Sequence, residues 1–75
     1  MDDLAMQRRA ERTIHMCRAF DIEPDARTVA EIMVDDDVTA HKYQDFSTAR
    51  ALVFVEYEKA AAGALRRLRV DRRSA

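Results

Sequence analysis

Residues 50–57 read Arg50-Ala51-Leu52-Val53-Phe54-Val55-Glu56-Tyr57, and Glu58-Lys59-Ala60-Ala61-Ala62-Gly63-Ala64-Leu65 follows without a break. The run is denser in apolar side chains than a surface element needs, so it marks the centre of the fold. Two readings are open. The β-branched and aromatic residues from Leu52 to Tyr57 suit a strand, and periodicity alone does not separate a short buried strand from half of a buried helix. In the helical reading, Ala51, Phe54, Val55, Ala61, Ala62, Leu65 and Leu68 share one stripe interrupted by Glu58. Val53, Tyr57, Ala60 and Ala64 form a second stripe further round the wheel, at about 100° per residue. A helix over 47–69, capped by Ser47 and covered on both sides over its first half, is then the spine of the molecule.

The flanking chain favours the helical reading. From residue 2 to 20, Met6, Ala10, Ile14, Cys17 and Phe20 recur every three or four positions, and Asp2 and Asp3 sit where the positive end of a helix attracts carboxylates. Pro24 pushes the residue before it out of the helical region and tolerates a first turn, so a second helix is expected over 25–34. Asp35, Asp36 and Asp37 would end it by placing carboxylates at the negative pole, and Asp36 or Asp37 would cap a short helical connection over 37–45. The expected fold is a small all-α bundle of three to four helices in a single domain spanning 1–75, with the C-terminal helix central. The expected core is Met6, Ala10, Ile14, Cys17, Phe20, Val29, Met33, Phe54, Val55, Ala61, Ala62 and Leu65. Replacing Phe54 with alanine is expected to cost about 3–5 kcal/mol.

Read as a strand, Arg50 to Tyr57 resembles the third-strand signature of the RNA recognition motif family, basic-Gly-aromatic-small-aromatic-Val-x-aromatic. The Ala-rich stretch after it is similar to that family's second helix. The resemblance implies that Phe54 stacks on a base and that Arg50 meets a phosphate. Ala51 stands where the family has glycine, Leu52 where it has its first stacking aromatic, and residues 1–40 hold no companion strand.

Composition narrows the function classes. Thirteen Lys and Arg against fourteen Asp and Glu give a net charge of −1, so no global attraction to nucleic acid or anionic membrane arises. A single cysteine removes an internal disulfide and suits a reducing compartment, and the acidic start with no long apolar run points to a soluble, cytoplasmic chain. A chain this short buries only about 60% of its unfolded surface, so regular packing or self-association is expected to help. Arginine far outnumbers lysine beside abundant alanine, which suggests a GC-rich genome of bacterial or phage origin.

No catalytic, cofactor-binding or metal site is expected. His15 and Cys17 are two positions apart on a helix and point about 200° from each other, so they do not share an ion. Ser47 and Ser74 lie in no recognisable elbow, and the single Gly63 builds no phosphate loop. A helix-turn-helix reading would set its turn at Asp35 to Asp37, where three carboxylates face a polyanion. Two charged patches remain as candidate contacts. One is acidic, Asp35, Asp36, Asp37 and Asp45; the other is basic, Arg66, Arg67, Arg69, Arg72 and Arg73.

The leading expectation is a small non-enzymatic protein-binding module, a regulator, inhibitor or assembly factor, with its partner unidentified. The first alternative is nucleic-acid binding through the C-terminal arginines. The second is a structural subunit that self-associates, a homo-oligomer whose interface would lie on the stripe Val53, Tyr57, Ala60 and Ala64.

Overall fold

A computed structural model describes the backbone of residues 3–74 and the side chains of residues 3–69. Those residues form α1 (Asp3–Ala19), α2 (Ala26–Thr39) and α3 (Phe46–Ser74), with no strand among them. The helices run up, down and up, and α3 packs against both others. The fold is thus a small all-α bundle with the C-terminal helix as its central element. Arg50 to Tyr57 lie inside α3 and present no sheet face on which Phe54 could stack a base.

Local signals set the helix starts. The Asp25 carboxylate accepts a hydrogen bond from the Thr28 amide at 2.8 Å, and that of Asp45 accepts one from the Thr48 amide at 2.8 Å. Both starts are Asp-x-x-Thr, and each aspartate satisfies an amide that no helical carbonyl reaches. The cap of α3 is therefore Asp45 and not Ser47. These amide bonds hold the Asp25 and Asp45 carboxyls below the usual carboxylate range.

The ends of α1 and α2 are built alike. The Ile22 amide donates to the Cys17 carbonyl at 2.8 Å, the Lys42 amide to the Asp37 carbonyl at 2.9 Å, and the residue before each donor is left-handed. Those residues are Asp21, φ 57°, and His41, φ 61°. Glycine normally fills this position because a Cβ costs roughly 1–2 kcal/mol there. The urea midpoint of His41→Gly is expected to rise, corresponding to about 0.5–1 kcal/mol after the greater entropy of an unfolded glycine is deducted. An unchanged or lower midpoint would mean that the imidazole makes a compensating contribution. Asp21→Gly is expected to gain less, since aspartate tolerates this region better than most residues.

Three expectations are corrected here. α2 does not stop at 34: it continues through the acidic triplet to Thr39. The reason is that Asp37 turns inward to cationic partners, so its charge does not oppose the helix pole. No helix occupies 37–45 beyond the end of α2; the chain passes through turns and bends to the Asp45 cap.

The third correction concerns the core. Ala10, Ile14, Cys17, Val29, Met33 and Ala61 are buried as the periodicity indicates, and Met6, Phe54 and Leu65 pack partly buried against them. Phe20 and Val55 do not join the core, being 71% and 60% exposed. Phe20 stands just past the last turn of α1, immediately before left-handed Asp21, where the chain leaves the helix axis. Along α3 the innermost face is Ala49, Tyr57, Ala60, Ala61 and Ala64. Small side chains there let α1 and α2 approach closely, and a Cβ added to Gly63 would stand 3.4 Å from the Gln7 side-chain nitrogen. The stripe expected to serve self-association is thus largely consumed by the core.

Candidate interaction surfaces around a buried ionic network

One residue from each helix meets in the interior. Arg9 of α1 donates from Nη2 to Asp37 Oδ1 of α2 at 2.7 Å and to the Met33 carbonyl at 3.0 Å. Its Nη1 donates to the Tyr57 hydroxyl of α3 at 3.3 Å, and its guanidinium lies 5.2 Å from the centre of the Tyr57 ring. Tyr57 in turn donates its hydroxyl hydrogen to Asp37 Oδ2. Lys42 Nζ stands 3.7 Å from Asp37 Oδ1, at the exposed rim. Asp37 is only 1% exposed, yet both of its oxygens are bonded, and no buried side-chain nitrogen or oxygen lacks a partner among the described residues. A buried carboxylate persists only under such conditions.

The electrostatics follow from burial and pairing in opposition. Burial alone would raise the Asp37 carboxyl, but hydrogen bonds from Tyr57 and Arg9 and the charges of Arg9 and Lys42 outweigh it and hold the group below the usual carboxylate range. The Tyr57 phenol is pushed up, first by burial and then by the adjacent carboxylate. Arg9 stays firmly protonated because Asp37 and Tyr57 more than offset its own desolvation. Each described group in the network is paired with another, and the contacts join all three helices.

The acidic patch is consequently smaller than the sequence suggests. Asp35 and Asp36 are exposed on α2 and Asp45 is exposed at the α3 cap, but Asp37 belongs to the interior. In the basic patch, Arg66, Arg67 and Arg69 are exposed, and Arg67 is also tied to α1 through Glu11 Oε1 at 3.1 Å and through Gln7 Oε1. The side chains of Arg72 and Arg73 lie outside the described residues. His15 is exposed and Cys17 buried on opposite sides of an intact α1, and burial raises the Cys17 thiol.

A groove of about 540 Å³ runs between α1 and α3 and is lined by Met6, Val53, Tyr57 and Ala60 with Asp3, Glu56 and Lys59 among its polar residues. Its lining sets apolar side chains below exposed charged residues, a chemistry that suits contact with an apolar side chain. Two exposed apolar features escape the periodicity argument. Met16, Phe20 and Ile22 are exposed around the end of α1, with Asp21, Glu23 and Asp25 exposed beside them. Leu52 and Val55 are exposed on the outward side of α3. The sequence signal for the first was available: Phe20 is followed at once by the break Asp21-Ile22-Glu23-Pro24. No helix among the described residues is long and apolar enough to cross a membrane. Comparison with protein-family models, with curated proteins and with solved structures gives no match for this chain.

Proposed function

We propose that the chain is a non-enzymatic protein-binding module, a regulator, inhibitor or assembly factor of a reducing cytoplasm, that engages its partner through the end of the bundle where α1 meets α2. The observation that supports this reading is the exposure of Phe20, the most accessible large apolar side chain among the described residues. Aromatic anchors of this kind contribute a disproportionate share of contact energy when a partner pocket closes over them. Asp21 and Glu23 are exposed in the connection that follows the anchor and outnumber Arg18 beside them, so the fitting partner has an apolar pocket with a basic rim.

The test immobilises the wild-type chain and the double variant Phe20→Ser/Ile22→Ser and exposes both to nuclease-treated and untreated cell lysate. A protein retained by the wild type after nuclease treatment, and retained at least tenfold less by the variant, is the expected result. Equal retention by both chains would overturn the assignment of this surface. Material that disappears with nuclease or moderate salt would move the function to nucleic-acid contact by the exposed Arg66 and Arg69.

A further inference from the structure

The outward face of α3 changes character along its length. Near its start Leu52 and Val55 are 65% and 60% exposed, and the exposed carboxylates Asp45 and Glu56 flank them. Beyond Glu56 the same side becomes small and basic, with Lys59, Arg66 and Arg69 exposed and Ala62 partly so. Leu52, Val55, Lys59, Ala62 and Arg66 recur at steps of three and four residues, so a single helix laid along α3 would meet all of them.

We propose that this helix is α3 of a second copy of the chain, packed antiparallel about a twofold axis that passes near residues 57 and 58. Reversal lays the bulky, acidic half of one helix on the small, basic half of the other. Glu56 of one copy then stands level with Lys59 of its mate, and the symmetry closes the same pair a second time. Leu52 and Val55 cover the low surface over Ala62 and the methylene stem of Lys59, while Asp45 comes level with Arg69. A parallel pair would instead oppose Glu56 to Glu56 and Arg66 to Arg66, at a cost in like-charge repulsion. Antiparallel packing also sets the two helix dipoles in opposition. With a net charge of −1, no overall repulsion keeps two copies apart. This contact lies on a side chain set distinct from the Phe20 end, so it stands or falls independently of the proposed partner surface.

Sedimentation equilibrium of the full chain tests the arrangement. One helix face per copy is a small contact, so dimer is expected to become the main species at about 100 µM chain in low salt and to recede in high salt. The single variants Glu56→Lys and Lys59→Glu are each expected to stay monomeric at that concentration, because each confronts like charges across the axis. Mixing the two single variants, or combining both changes in one chain, restores opposite charges and is expected to restore the dimer. Helical circular dichroism checks that each variant remains folded, as expected at exposed positions. A wild-type chain that remains at 8.6 kDa up to about 1 mM would overturn the proposal, as would dimers that form equally in both single variants.

Discussion

Replacing Asp37 with asparagine is expected to lower stability by about 2–3 kcal/mol, a loss that shifts the thermal midpoint by roughly 10–20 °C in a domain of this size. The substitution nearly preserves shape. It removes the one carboxylate among the described residues that Arg9 and Lys42 are seen to address and leaves the half-enclosed Arg9 guanidinium without that counter-charge. The figure is set below the usual loss for a broken buried pair because Arg9 keeps some access to water and retains its bond to the Met33 carbonyl. The effect also has a pH signature. A carboxyl whose pKa is lower folded than unfolded contributes stability that is fully present above its unfolded value, near 3.9, and is lost as pH falls through the folded value. Wild type should therefore lose stability in acid below about pH 4, with Asp25 and Asp45 contributing in the same direction. The asparagine variant should lose less over the same interval. Urea titrations at pH 7 and pH 3 measure both effects; equal midpoints for the two chains at pH 7 would show that the network contributes nothing net.

Ile14→Ala is expected to cost about 3–4 kcal/mol, within the range for buried aliphatic truncations. Ile14 is the largest side chain with no accessible surface, and it packs with Cys17, Val29, Met33 and the alanines of α3 in one cluster. Helices held by their own backbone bonds do not collapse easily into the space left behind, so most of the cavity should persist. Against a total of about 4–11 kcal/mol for 75 residues, this loss leaves a marginal fold. Phe54→Ala is expected to cost less than Ile14→Ala, contrary to the larger value its hydrophobicity suggests. Phe54 is only partly buried, and its ring lies beneath the Arg50 guanidinium at 4.2 Å, in a contact that remains open to solvent. A chemical denaturation series of the two variants orders them directly; a larger loss at Phe54 would show that the ring anchors the core.

The difference between these two positions indicates what periodicity conveys. Spacing along α1 and α2 separates inward from outward because each has one apolar face, and Ala10, Ile14, Cys17, Val29 and Met33 are all buried. Along α3 two stripes compete. Raw hydrophobicity favours the stripe containing Phe54 and Val55, but close approach of three helices selects the side with alanines, and Tyr57 enters because its hydroxyl finds Asp37. That partnership joins residues 20 apart in the chain, and Arg9 pairs with Asp37 at a separation of 28. Neither pair leaves a local mark. The same ignorance makes Asp37 read as surface charge, places the end of α2 too early and inserts a helix where the chain only turns. By contrast, the break at Pro24 is short-range chemistry that the residues carry directly, whereas the cap at Asp25, inside the expected helix, emerges from the structure.

A contact that requires all three helices at once makes each pairwise intermediate incomplete. A hairpin of α1 and α2 would enclose Arg9 and Asp37 without the phenol that completes the set, and a hairpin of α2 and α3 would enclose the carboxylate without its guanidinium. Partial assemblies thereby forgo charge-assisted hydrogen bonds as well as apolar burial, since each lacks one partner of the set. The chain should consequently pass between unfolded and native populations without dwelling at a two-helix stage, and its cooperativity would originate in a polar minority of the interior while the apolar majority supplies the driving force.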